Sequence, residues 1–143
     1  MKLKRVWGEK TYTLDSGLFQ SQSVDWATPQ SLYAELDAEF HFNDDPCPLR
    51  AMTDGLSREW GSRTYVNPPY GREIIRWIRK AYEESILGKI VVMLLPARTD
   101  TEWWHEYVFK ASEIRFIRGR LKFGDSKNSA PFPSVVVVFG NGA

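Results

Sequence analysis

Apolar positions along this chain switch between a helical and a strand-like period. Leu32, Leu36 and Phe40 recur at four-residue spacing behind Thr28-Pro29, giving one apolar helix face. Thr28 can cap that helix, and Pro29 suits its first position. Phe40-His41-Phe42-Asn43-Asp44-Asp45 reads as a short strand ending in two acids. Residues 46–61 show no clean period and read as loop with room for one helical turn. Arg63-Thr64-Tyr65-Val66 is a second short strand. A helix over 72–87 places Ile75, Ile78, Tyr82 and Ile86 on one face, and Gly88 stops it. Lys89 to Leu95 is nearly all apolar, as a strand covered on both faces is. Thr99-Asp100-Thr101-Glu102 fits a capping box ahead of a helix carrying Trp103, Trp104, Tyr107 and Val108. Strands are expected at 113–118 and 120–124, and Ser134 to Phe139 is another buried strand.

This order predicts an α/β layer architecture with a mainly parallel sheet flanked by helices. Such sheets bind ligands beyond the carboxyl ends of their strands. Asp44-Asp45, Asn67 to Tyr70, and Pro96-Ala97-Arg98 all fall at such ends, so the architecture predicts that they converge. Residues 1–25 have no sustained period and read as an arm or short hairpin, ahead of a single domain over 26–143.

Composition changes this picture little. A chain of 143 residues, 43% hydrophobic, suits one globular domain. No apolar run is long enough to span a membrane, and Met1-Lys2-Leu3-Lys4-Arg5 lacks the apolar stretch of a signal peptide. One cysteine, Cys47, permits no intrachain disulfide, and two histidines beside it do not suggest a structural zinc site or any other metal. The expected location is cytoplasmic. Net charge is +1, but acidic residues gather between Glu35 and Glu59, and basic ones at 2–10, 72–80 and 115–127. That split suits a polyanion on one face and a cationic cofactor near the other, or simply two solvated faces.

The candidate chemistry lies in Asn67-Pro68-Pro69-Tyr70. An exocyclic amine on an aromatic base is a poor nucleophile, because its lone pair is delocalised into the ring. Two acceptors facing its hydrogens favour the charge that develops during attack. The Asn67 side-chain oxygen is one acceptor and the Pro68 carbonyl a second. Two successive prolines fix φ and remove two N–H donors, leaving a stiff loop. The Tyr70 ring can hold a base by stacking, worth about 1–3 kcal/mol. A base inside a duplex is out of reach and has to be flipped out. The plainer alternative is a proline turn between strand and helix.

The wider pattern resembles the bacteriophage DNA N-6-adenine-methyltransferase family, the phage Dam-type enzymes, over about Phe19 to Phe139. The segments that carry the resemblance are Asp25 to Gln30, Phe40 to Cys47, Asp54-Gly55-Leu56, Trp60, Val66 to Gly71, Leu95 to Thr101, and Ile117 to Phe123. The resemblance implies a trimmed Rossmann-like fold, S-adenosylmethionine as donor and DNA adenine as acceptor. It implies that Asn67, Pro68, Pro69 and Tyr70 form the catalytic loop. Trp26, Thr28 and Pro29 then meet the methionine end of the cofactor, with Asp45 and Pro46 at the end of the first strand and Asp54 near the cofactor adenine. Arg98, Arg118, Arg120 and Lys122 are candidates for DNA phosphates, and Phe132 for a wall of the base pocket. Arg118, Arg120 and Lys122 alternate along the expected strand, which also suits a charged sheet edge.

One departure stands out. Methyltransferases generally carry a glycine-rich turn after the first strand, whereas here the turn reads Asp45-Pro46-Cys47-Pro48. Two other readings follow. Cytosine N4, RNA adenine or a protein amide would present a similar planar amine. A chain that had lost cofactor binding would be a non-catalytic DNA-binding module.

Overall fold

The computed structural model describes residues 1–6, 27–48, 54–123 and 129–140. Trp26 lies outside them, as do residues 7–25 of the stretch read as an arm or hairpin. The start of that stretch, Lys2–Val6, is a strand, β1. The other elements are α1 (Gln30–Phe40), β2 (Arg63–Val66), α2 (Ile74–Ile86), β3 (Ile90–Pro96), α3 (Glu102–Glu106), β4 (Glu113–Ile117) and β5 (Ser134–Phe139). Short 3-10 turns occupy Gly55–Ser57 and Val108–Lys110.

The five strands form one sheet in the order β1-β4-β5-β3-β2. β1 runs parallel to β4, and β2 parallel to β3. β5 lies in the middle and opposes both of its neighbours. Four strands therefore share one direction, but the two parallel pairs are joined through an antiparallel strand. A wholly apolar run marks burial on both faces and carries no sign of direction, so Ser134 to Phe139 could not announce its orientation. The burial itself is met: every residue of β5 is buried, and β3 is buried from Val91 onward.

Helices cover both faces. α1 presses Leu32 and Leu36 inward on the side of Tyr65 and Arg115. α2 packs on the opposite side, where Tyr82 meets the Phe139 ring at 6.5 Å. Its buried face is Ile74, Trp77, Ile78 and Ala81 rather than the stripe expected from isoleucine spacing, and Ile86 is exposed. The rotation has a polar cause. Glu84 is buried on the same face, and its carboxylate accepts from the Trp60 backbone N–H at 2.5 Å and from Lys89 Nζ at 3.1 Å. Burial pushes the Glu84 carboxyl up, but these donors together with Lys80 outweigh it and hold the group below its usual value. The network ties the loop around Trp60 to α2.

Several local expectations shift. Phe40 closes α1, and His41 takes a left-handed conformation behind it, so the strand expected over 40–45 shrinks to one parallel bridge, Asp44 to Thr64. Pro29, not Thr28, occupies the N-cap position of α1, and no side chain caps it. Thr101, not Thr99, caps α3 by accepting from the Trp104 N–H at 3.3 Å. Trp103 and Trp104 are core residues. β4 ends at Ile117, and residues 120–123 form no strand. Among the described residues no helix is long and apolar enough to cross a membrane.

α1 is fastened to the sheet by Arg115, which is only 7% exposed. Its guanidinium donates to both Glu39 oxygens, at 2.7 and 2.6 Å, and to Glu113 at 2.5 Å, while lying over the Phe40 ring. Arg115→Ala strands two carboxylates and removes that packing. Because Glu39 is half exposed, the expected loss is about 2 kcal/mol, less than for a fully buried pair, read as a lower midpoint in urea.

Candidate active site

β2 and β3 are parallel, and the Asp44–Thr64 bridge is parallel too, so all three segments leave the sheet at one edge. Beyond β2 the chain leaves as Asn67-Pro68-Pro69-Tyr70, and Gly71 turns it at φ 129°, a conformation that favours glycine. Period-two alternation puts Tyr65 and Asn67 on the same side of the strand line. There they meet Thr28, just ahead of α1. Asn67 Nδ2 donates to Thr28 Oγ1 at 3.1 Å, and the same oxygen lies 2.7 Å from the Tyr65 hydroxyl. Tyr65 is 2% exposed and packed edge-on against the Tyr33 ring.

A cavity of about 500 Å³ opens over this cluster. Ala27, Thr28, Gln30, Tyr33, Asp45, Cys47, Pro48, Tyr65, Asn67, Pro68 and Pro69 line it. Its size and its character, apolar walls with a few convergent polar groups, are those of a small-molecule site. The two neighbouring acids divide their work. Asp44 is structural: both its oxygens take Arg58 at 2.8 Å, and the Gly61 N–H adds a third bond. Asp45 faces the cavity. Burial pushes its carboxyl up to about 6 and the neighbouring Asp44 charge adds to the rise, although the Cys47 N–H, donating to it at 3.2 Å, opposes it.

The turn without glycine is served by a glycine from elsewhere. A Cβ on Gly55 would sit 2.1 Å from the Pro46 carbonyl oxygen, so the turn Asp45 to Pro48 rests directly on the Gly55 backbone. Trp60 Nε1 holds that backbone by donating to the Gly55 carbonyl at 2.7 Å. Gly55→Ala therefore has to displace the turn. The expected result is a loss of about 1–3 kcal/mol in stability, measured by thermal melting.

The other sequence candidates fall into three groups. Pro29 and Pro46 are buried behind the cavity and do not line it. Asp54 is exposed and caps the Gly55–Ser57 turn by accepting from the Leu56 N–H at 2.9 Å. On the far side of the loop, Tyr70 is 5% exposed, donates to the Leu94 carbonyl at 3.1 Å and packs edge-on against Phe132. Arg98 lies over the other part of that pair, 5.8 Å from the Phe132 ring. Pro96-Ala97-Arg98 thus meets the Tyr70 side of the loop and not the cavity. Arg118, Arg120 and Lys122 are exposed but follow an irregular segment, and Arg120 donates to the Ala130 carbonyl at 3.3 Å. Ala27, Gln30, Tyr33, Cys47, Pro48 and Tyr65 line the cavity although the sequence did not mark them as cofactor-binding candidates. The signal for Tyr65 was its place two residues before Asn67 on a strand.

Comparison with known proteins bears on this arrangement directly. The family described as DNA N-6-adenine-methyltransferase (Dam) matches residues 15–139. The chain belongs to this family. A protein named DNA N-6-adenine-methyltransferase from Escherichia phage T1 is 33% identical over 109 residues, covering 67% of this chain and 45% of that protein. A protein of the same name from Haemophilus phage HP1 is 30% identical over 134 residues, covering 80% of this chain and 77% of that protein. The chain thus spans less than half the length of the first relative. The matched region contains the whole cavity, from Ala27 to Pro69.

Proposed function

We propose that this chain transfers a methyl group from S-adenosylmethionine to the N6 amine of adenine in DNA. The observation that carries the reading is the cavity over Asn67. It joins a carboxylate, Asp45, to the amide of the Asn-Pro-Pro-Tyr loop inside one space large enough for the cofactor. The order of the strands, with an antiparallel strand between two parallel pairs, supports a trimmed Rossmann-like methyltransferase fold.

The donor set fits the cofactor. Asp45 offers a carboxylate for its ribose hydroxyls or ammonium, the Tyr33 and Pro48 walls offer apolar surface, and Ala27 and Thr28 border the methionine end. The cofactor supplies an electrophilic methyl group on a sulfonium. The chain supplies the rest. The Asn67 Oδ1 and the Pro68 carbonyl accept the two N6 hydrogens and stabilise the charge that develops on the amine. No strong base is required, since the alkylated nitrogen is acidic and gives its proton to water. The target base is flipped out and rests against the Pro69 to Tyr70 turn, with the Tyr70–Phe132 pair behind it. Arg98, Arg118, Arg120 and Lys122 stand on or near the exposed surface where phosphates would lie.

The test is incubation of the protein and cofactor with DNA, RNA and protein substrates, followed by mass spectrometry of the digests. N6-methyladenine from DNA is expected. N4-methylcytosine, methylated RNA or a methylated protein amide in its place would redirect the reading. Cofactor binding with no methylated product on any DNA would end it.

A further inference from the structure

A primary amide has a donor end and an acceptor end of nearly the same shape, so a half-turn about its last torsion exchanges them. For Asn67 that exchange decides everything. With Oδ1 toward the substrate it accepts an amine hydrogen. Turned over, it would set an NH2 against an NH2, and no hydrogen bond would form. The groups behind Asn67 are therefore as consequential as those in front.

Nδ2 is turned toward Thr28 Oγ1, at 3.1 Å. A hydroxyl alone does not enforce this, because it can donate to an amide oxygen as readily as accept from an amide nitrogen. The second contact on the same oxygen, 2.7 Å from the Tyr65 hydroxyl, removes the freedom in the arrangement in which Thr28 is the donor to Tyr65. When the Thr28 proton is committed to the Tyr65 oxygen, Thr28 has only a lone pair to offer Asn67, and only the NH2 end can use it. Burial pushes the Tyr65 phenol above its ordinary value, with Thr28 opposing, so the phenol remains a neutral partner at working pH. Tyr65 is fixed in turn by the Tyr33 and Phe42 rings, at 5.1 and 5.4 Å between centroids.

We propose that Thr28 and Tyr65 are positioning residues, a two-hydroxyl relay that sets the Asn67 amide with its oxygen toward the substrate amine. The inference rests on the reading of Asn67 as the acceptor for that amine. It assigns the Thr28 hydroxyl to the loop and leaves Thr28 to border the cofactor with its other atoms.

The experiment compares Thr28→Val, Thr28→Ser and Tyr65→Phe in the full chain. For each, turnover on adenine-containing oligonucleotides and cofactor Kd by calorimetry are measured. Thr28→Val and Tyr65→Phe are expected to lower kcat roughly 3- to 10-fold, the size of one neutral hydrogen bond, without a matching change in cofactor Kd. Thr28→Ser should restore kcat. A fall in kcat that follows a weakened Kd would make Thr28 a cofactor ligand and overturn the inference, as would unchanged kcat in both variants. Repeating the substitutions beside Asn67→Asp sharpens the result. A carboxylate has two equivalent oxygens, so its orientation carries no meaning, and the penalties should shrink. Equal penalties in both backgrounds would also overturn the inference. If Asn67→Asp is inactive, the kcat and Kd comparison decides alone. Full turnover in Asn67→Ala would defeat the underlying reading, whereas inactive Asn67→Ala with fully active Thr28→Val and Tyr65→Phe would defeat this inference only.

Discussion

Asn67→Ala is expected to lower turnover on adenine-containing DNA by about 10²–10³-fold, the cost typical of removing one group that stabilises charge in a transition state. Alanine deletes both ends of the amide. The proposed acceptor for the amine hydrogen is lost, and so is the bond to Thr28. The loop should keep its course, because Pro68 and Pro69 fix their own φ and Gly71 makes the turn. On the proposed reading the cofactor is held by Asp45 and the cavity walls, so its Kd should stay within about three-fold. Single-turnover kinetics and calorimetry on the same preparation separate the two quantities. A Kd that collapses together with turnover would mean that Asn67 holds the cofactor, and the division of roles would fall.

Asp45→Asn should move stability and binding in opposite directions. The Asp45 carboxyl titrates at about 6 in the fold, against 3.8 as the ordinary value, because burial disfavours its charged form. The native state therefore binds this proton more tightly than the unfolded chain does. The contribution to stability is complete below the unfolded pKa and is lost as pH rises through about 6. At pH 7 the wild type carries a poorly solvated charge, and Asn removes it while still accepting from the Cys47 N–H. The variant should be more stable by about 1–2 kcal/mol at pH 7, allowing for the partial exposure of the group, and equal to wild type near pH 4. Cofactor binding should suffer in exchange. A charge-assisted hydrogen bond is worth about 1.5–3 kcal/mol, so the Kd should weaken roughly 10- to 100-fold. Wild-type affinity should rise from pH 5 to pH 7, and the variant should show no such rise. A pH-independent wild-type Kd would remove Asp45 from the cofactor site.

What could be read in the sequence divides along physical lines. β2, β3 and β5 were legible almost to the residue, because short apolar runs bounded by Pro, Gly or polar residues carry both period and limits. The convergence of Asp45 with Asn67 followed from strand direction alone. The failures arose where a few specific contacts override a pattern. Buried Glu84 turns α2 away from its isoleucine stripe, since its network with Trp60 and Lys89 can form only inward. Thr28 looked like a cap and instead spends its hydroxyl on Tyr65 and Asn67, a pairing across 39 residues that no local rule anticipates. Asp54 and Asp45 are similar in sequence terms, each an acid in a turn. Only three-dimensional position shows that one caps a 3-10 turn at the surface and the other faces the cavity.

The central strand has a consequence for how the protein is made. β5 covers residues 134–139 and joins β3 to β4, while β1, at residues 2–6, pairs with residues 113–117. A ribosome that has released the chain only as far as residue 123 has therefore exposed two ribbons with nothing between them. Each has a bare apolar edge, and neither half of the sheet can close on the other. Closure waits for long-range pairings, which are slow to find and leave unsheltered edges in the meantime.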